Sequence, residues 1–467
     1  MHELMTAETM LDTFARQGTA LLKQEDPSLY KLLEDEYCRQ LDTLVMVASC
    51  SIAHPSVLTC EGTVGVNVTA EGYPGKRYHA GCEFIDGIEQ LAIDRAKEAF
   101  KAQYANVQPH CATSANFIII SNLLKAGDCI LGMELQYGGH LTHGAKASFS
   151  GQYFNAVGYG LDENGFIDYA QVARLAHECQ PKLIICGATA YPRLIDFQRF
   201  RQIADEVGAF LLADISHTAG LVITGLHPSP IDHAHFTTTC THKQLFGPRG
   251  GLILMGRDYL SPAPDGKRTL SAMLQRAVFP FFQGAPILNA IAAKARALAL
   301  ATTPEFKILA RRIVANSGEL ARCFIDLGYK VISGGSSNHI ILLDVASRGL
   351  TGVVAERALE ESSIIVNKNR IPGDAKSALI TSGLRLGTNT IAARGMGNNE
   401  MQACAELIHR VLTSIEIIDE QKYYLDNTVK ELVQADVRQL CRSFPIPNYP
   451  DVTNLSEAGF VQGKGGF

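Results

Sequence analysis

Short apolar runs alternate with stretches of helical period through the middle of this chain. DCILGM (128–133), KLIICGA (182–188), AFLLADI (209–215) and GGLILMG (250–256) have the length of buried strands, and segments such as DFQRFRQIADEVG, with helical spacing, lie between them. Strands separated by helices imply a mainly parallel sheet covered on both faces. Such a sheet binds ligands beyond the carboxyl ends of its strands. Upstream, Ile85, Ile88, Leu91, Ala92, Ala96 and Phe100 recur with the period of a half-buried helix over about 85–102. After a helix-rich stretch around 285–330 the pattern changes to HIILLDV, a helix at about 351–361, IIVN, GLRLGT and a long helix at about 398–415. The expected organisation is an amphipathic helical arm (1–45, with Leu21, Leu22, Leu29 and Leu32 among acids), a large domain (46–300), a smaller α+β domain (301–447) and a glycine-rich tail (448–467).

Composition narrows the function. With 42 Lys plus Arg against 47 Asp plus Glu, the net charge of −5 argues against nucleic acid or an anionic membrane as partner. At 46% hydrophobic and 19% charged residues the chain can bury a large core. Its twelve cysteines show no CxxC and no regular framework, as expected of reduced thiols in a cytoplasmic protein. The N-terminus lacks a basic region followed by an apolar one, and the long run 285–302 is broken by Lys294 and Arg296, so neither a secretory signal nor a membrane span is expected. Neither GxGxxG after a strand nor GxxxxGK[ST] occurs, which leaves hydride transfer and P-loop chemistry with little support. The His140/His143 and His233/His235 pairs lack a third ligand, and no metal site is expected.

Two residues on the strand pattern can carry chemistry. Asp214 in AFLLADISH stands at the carboxyl end of a buried run, with His217 three residues on. A carboxylate so placed can pair with a protonated ring nitrogen, as in pyridoxal-phosphate enzymes, or can be a turn or cap aspartate. Lys243, between a hydroxyl-rich stretch and a glycine-rich turn in TTTCTHKQLFGPRGG, could be a Schiff-base amine, although surface lysines are far commoner.

Taken together, AEGYPGKRY (70–78), ANVQP before His110, GGHLTHG (138–144), LADISH (212–217), THK with GPRGG (241–251) and TSGLRLGT (381–388) resemble serine hydroxymethyltransferase, in the family's order and within a similarity running from about 20 to 447. The resemblance implies a fold-type I pyridoxal-phosphate transferase that interconverts serine and glycine with tetrahydrofolate in one-carbon metabolism. It also implies a homodimer or dimer of dimers with active sites at the subunit interface. Carried over, Lys243 would bind the cofactor covalently, Asp214 would pair with its ring nitrogen, and His140 would stack on the ring. Thr189 and His217 would lie near its phenolic oxygen. Ala112, Thr113 and Ala285 would form the phosphate cup, with Thr113 at a helix N-terminus. His242 and Arg249 flank the lysine in the family pattern. Arg385, with its planar fork, would hold the amino-acid carboxylate, assisted by Ser49. Glu71 would be the acid/base group, with Tyr78 and His79 beside the substrate. Leu135, Gly139, Leu141 and Asn369 would contact the pterin, and Phe279 its aromatic tail.

Several positions depart from the family. Ser49-Cys50-Ser51 stands for Ser-Glu-Asn, Thr69 for a tyrosine, and His79 for the second of two tyrosines. Cys111-Ala112-Thr113 replaces Ser-Gly-Ser, Gly284-Ala285 replaces Gly-Gly, and Phe281 and Phe282 replace small residues. Cys50 and Cys111 read as small semi-apolar fillers rather than nucleophiles. Such clustering keeps two other readings open: an aldolase, transaldolase or hydroxymethyltransferase for another amino acid, and a catalytically silent regulatory paralogue.

Overall fold

The computed structural model describes residues 9–450, so the first eight residues of the expected arm and the expected tail from 451 onward lie outside the described residues. The central element is a seven-stranded sheet. Its strands are β1 (Tyr104–Asn106), β2 (Cys129–Met133), β3 (Asn155–Tyr159), β4 (Leu183–Cys186), β5 (Phe210–Asp214), β6 (Phe236–Cys240) and β7 (Gly251–Met255), in the order β1-β7-β6-β5-β4-β2-β3. The β3-β2-β4-β5-β6 pairings are parallel, and β7 runs antiparallel to both its neighbours. Both faces are covered: β4, β6 and β7 are buried along their whole length.

β2, β4, β5 and β7 coincide with the apolar runs. β6 does not look like a core strand, because it is written Phe-Thr-Thr-Thr-Cys. Threonine is β-branched and suits a strand, provided its hydroxyl finds a partner once buried. Thr238 donates to Asn116 Oδ1 at 2.6 Å and Thr239 to the Cys240 carbonyl at 2.8 Å.

The arm forms two helices, α1 (Met10–Glu25) and α2 (Pro27–Asp42), that bury no side chain of their own. The periodic segment at 85–102 is α3 (Glu83–Phe100), and α4 (Ala112–Leu123) follows β1. The helix-rich stretch is α5 (Leu288–Ala301) and α6 (Pro304–Asp326). Beyond it lies a four-stranded antiparallel sheet of β8 (Lys330–Val331), β9 (Ile340–Asp344), β10 (Asn367–Asn369) and β11 (Gly383–Gly387), in the order β8-β9-β11-β10. Its core is not built from residues after 300 alone, since Leu44 and Met46 are packed in it. The strand Leu44–Val45 pairs in parallel with Ile364–Ile365. α6 joins the two cores, giving Phe306 and Ile313 to the first and Leu320 and Phe324 to the second. No helix among the described residues is long and apolar enough to cross a membrane.

One buried charge pins the floor of the large sheet. Lys294 on α5 is 2% exposed, and its ammonium donates to the carbonyls of Val107 (2.7 Å), Pro109 (3.1 Å) and Gly251 (3.1 Å). Three donors meet three acceptors, while burial pulls the amine's pKa down to about 7 against the attraction of Glu89. Gly250 leaves room for this side chain, since a Cβ there would collide with the lysine's Cε. Lys294→Met is expected to cost about 3–5 kcal/mol in chemical denaturation, because three buried carbonyls lose their donor; a loss below about 1 kcal/mol would show that Lys294 is not the pin.

Candidate active site

At the carboxyl ends of the parallel strands lies a cavity of about 500 Å³. Its lining includes Ser49, Ala112, Thr113, Leu135, Gly139, His140, Leu141, Thr189, Asp214, His217, His242, Lys243, Arg249 and Arg385, all singled out above, together with Cys50, Cys111, His143 and Ser216.

Asp214 ends β5. Its Oδ2 accepts from Asn116 Nδ2 (2.8 Å) and His143 Nε2 (3.3 Å), and its Oδ1 from the N–H and hydroxyl of Ser216 (3.0 and 2.6 Å). Burial alone would raise the carboxyl's pKa, but the hydrogen bond and electrostatic pull of His143, with His140 and Ser216, more than offset it and hold Asp214 ionised. Gly187, at φ +132° just after β4, lets the neighbouring chain lie against the Asp214 backbone, where a Cβ would strike the carbonyl oxygen. Asn116 is fully buried on α4 and also binds Thr142 and Thr238, so it joins the helix to a loop of the site and to β6.

The His140, His143 and Asp214 ligand atoms lie within 4.8 Å of one another. Their hydrogen bonds make a proton network. The His140 N–H donates to His143 Nδ1 at 3.3 Å, so the His143 hydrogen sits on Nε2 and points at Asp214. His140 Nδ1 in turn accepts from the Thr142 N–H at 3.2 Å.

α4 begins at the other end of the cavity. Cys111 caps it through Sγ, which accepts from the Ser114 N–H, leaving the Ala112 and Thr113 N–H groups without a protein acceptor among the described residues. Two free amides at the start of a twelve-residue helix favour an anion. Cys111 thus retains a hydroxyl-like capping role, while burial pushes the Cys50 thiol up against the pull of Arg249, Arg39 and Arg385, which does not suit a nucleophile.

On the far wall Arg385 of β11 donates to the Thr189 carbonyl (2.7 Å) and to Asn367 Oδ1 (3.1 Å), and burial lowers its pKa to about 10, still charged at neutral pH. Thr189 is held by the Gly138 carbonyl, which accepts its N–H at 2.7 Å. His242 contacts Arg249 (3.4 Å), and Ser51 donates to the His242 carbonyl.

A buried carboxylate saturated with donors, an amine, an anion-binding helix start and a guanidinium around one cavity fit pyridoxal phosphate with an amino acid. The match to serine hydroxymethyltransferase, the family so described, spans residues 22–408. This chain belongs to that family. Proteins named serine hydroxymethyltransferase from Chlorobium phaeovibrioides (44% identical; 92% of this chain, 98% of the relative), Halorhodospira halophila (48%; 90% and 97%) and Shewanella piezotolerans (47%; 90% and 97%) are similar along nearly their whole lengths. Serine hydroxymethyltransferases are fold-type I enzymes, in keeping with the seven-stranded, mainly parallel sheet.

Six of the expected family positions do not line this cavity. Glu71, Tyr78, His79 and Ala285 are absent from it, and Asn369 sits on β10 beside Arg370, which lines a neighbouring cavity of about 610 Å³ sharing Leu135 and His143. Glu71, Tyr78 and Phe279 instead gather elsewhere. Tyr78 packs edge-on against Phe279 with centroids 5.6 Å apart, and Glu71 Oε1 lies beside Gly284. His143 and Ser216 fall inside motifs quoted above and Asn116 stands three residues beyond Thr113, but a second imidazole, a hydroxyl and a neutral amide have no signature until something brings them to the carboxylate.

The site's histidines set an acid limit. Burial lowers His140 to about 4 and His339, behind the cavity, to about 3, below the usual imidazole value. Folded values below unfolded ones mean that the unfolded chain takes protons first, so stability falls as pH drops from about 6.5. The expected result is a midpoint of thermal unfolding that declines steeply between about pH 6.5 and 5, above the carboxylate range, at up to about 1.4 kcal/mol per unit for each such imidazole. A flat profile there would contradict the neutral, desolvated site.

Proposed function

We propose that this chain is a pyridoxal-phosphate-dependent serine hydroxymethyltransferase that interconverts L-serine and glycine with tetrahydrofolate. The observation that carries the reading is the convergence of Lys243, Asp214, His140 and Arg385 on one cavity in a chain of this family. When bound, pyridoxal phosphate supplies an electron sink for negative charge developing at the amino-acid Cα.

Each protein group has a distinct task. Lys243 offers the amine that holds the cofactor's carbonyl carbon. Asp214, kept ionised by its donors, holds a proton on the ring nitrogen. The start of α4, with Ala112 and Thr113, binds the phosphate, and His140 supports the ring. Arg385 and Ser49 orient the substrate carboxylate, and the planar fork of Arg385 fixes the angle of Cα. His217 and Thr189 serve the cofactor's phenolic oxygen, while His242 and Arg249 shape the lysine loop. Leu135, Gly139, Leu141 and Asn369 form the pterin wall. Glu71 exchanges a proton with the substrate's side-chain hydroxyl oxygen.

Glu71 reaches that oxygen from a second copy of the chain. It clusters with Tyr78, Phe279 and Gly284 away from the cavity, and this region is edged by exposed Tyr78, Phe281 and Phe282. Met10, Leu11, Phe14, Leu32 and Leu33 of the arm are also more than half exposed, a surface suited to a partner subunit. Reduced cytoplasm suits the twelve unpaired cysteines.

The direct test is an absorbance spectrum with pyridoxal phosphate, then glycine, then tetrahydrofolate. A long-wavelength band that grows when folate joins glycine is the expected result; a cofactor spectrum indifferent to both would favour another amino-acid substrate. The shared site has its own test. Lys243→Ala and Glu71→Gln chains are each expected to lack transfer, yet dimers reassembled from an equal mixture should regain about a quarter of wild-type activity, because half are hybrids with one intact site. No recovery would place Glu71 in its own chain's site. Arg385→Lys should raise KM for serine by about 100-fold or more, consistent with loss of a buried bidentate contact.

A further inference from the structure

Behind the cavity two imidazoles meet. His217 follows β5, and His339 immediately precedes β9; they are 2% and 0% exposed. His217 Nδ1 lies 3.4 Å from His339 Nε2, with 16° between the ring planes and 5.6 Å between the centroids. Centroids that much farther apart than the nitrogens, in nearly parallel rings, put the two edge to edge, so a hydrogen on one nitrogen faces the in-plane lone pair of the other.

The position of that hydrogen follows from a third atom. His339 Nε2 also lies 3.2 Å from the Ala48 carbonyl oxygen, which can only accept. Placing the hydrogen on His339 Nδ1 would leave a buried N–H with no partner and turn a lone pair toward that carbonyl. Placing it on Nε2 satisfies Ala48 and leaves only the Nδ1 acceptor unpaired, and Nδ1 is indeed the buried atom without a partner. An orphaned acceptor is the commoner and less costly of the two. The Nε2 hydrogen then lies between Ala48 and His217, which makes His217 Nδ1 an acceptor.

We infer that His339 is a positioning residue that fixes His217 in its Nε2-protonated tautomer, so that the cavity receives an N–H donor and not a lone pair. His217 Nε2 has no protein partner among the described residues, and His217 lines the cavity. Burial, followed by Lys243, Arg385 and His339, keeps His217 uncharged, so it has a single hydrogen to place. The device spans the molecule: Ala48 precedes Ser49, its carbonyl also accepts from Asn389 Nδ2 at 3.2 Å, and His339 leads into the strand that pairs with the one carrying Arg385. The C-terminal sheet therefore sets a proton in a loop of the large one.

The inference rests on the proposed cofactor reading only for the identity of what the donor meets. The tautomer is read directly from long-range ¹H–¹⁵N spectra of the full chain labelled at histidine, with and without added pyridoxal phosphate, His217 being assigned by its loss in His217→Gln. The expected pattern is His217 protonated at Nε2 and not at Nδ1. His339→Phe keeps a ring but removes the donor and should move His217 toward a mixture of tautomers, with a Kd for pyridoxal phosphate raised about 10-fold. His339→Gln, whose amide can reach the Nε2 position, should restore both. A wild-type His217 protonated at Nδ1, or a His339→Phe spectrum identical to wild type, would overturn the assignment; should that variant fail to fold, the wild-type spectrum and His339→Gln still decide it. A chain that shows the expected tautomer yet takes up no pyridoxal phosphate would defeat the functional reading and support this one.

Discussion

A carboxylate taken out of water must be matched by donors, and the ionised Asp214 organises much of this fold. Its oxygens gather a helix through Asn116, a loop through His143 and its own following turn through Ser216. Each donor is held in turn, Asn116 by Thr238 on the next strand, His143 by the His140 backbone and Ser216 by the Cys240 N–H. A buried charge satisfied only by neutral donors retains its sign, and that lets it hold a proton on a ligand nitrogen. A partner lysine or arginine on Asp214 would have stabilised the same fold and removed the function.

The C-terminal sheet completes the site. Arg385 reaches over from β11 to the Thr189 carbonyl, the segment around Ala48 is strung between the two bodies, and the buried imidazole pair lies at their junction. Because each contact is a hydrogen bond between the two bodies, a change in their spacing would be felt at the substrate carboxylate and at the His217 ring together.

Much of this was legible in the sequence, for identifiable reasons. β2, β4, β5 and β7 are plain because a strand covered on both faces reads as unbroken aliphatic residues. β6 was hidden by its threonines, one of which, Thr238, is satisfied by Asn116 on α4, and β1 is only three residues long. At the site, charged and motif-bearing residues such as Lys243, Asp214 and Arg385 were readable, whereas Asn116 and His339 were not, since an amide or a lone imidazole acquires meaning only from its neighbours. Glu71 was found by its motif, yet its place away from the cavity could not be seen from one chain's order of residues.

Lys294 has one further consequence. Its ammonium binds the strand end and loop that precede α4 and also Gly251, which closes the loop carrying Lys243; the Gly251 N–H donates to the Pro109 carbonyl beside it. The amine and the anion-binding helix start are thereby mounted on a single rigid frame, like the jaws of a locked caliper. A ligand that must reach both is gauged by its length before any of its chemistry begins.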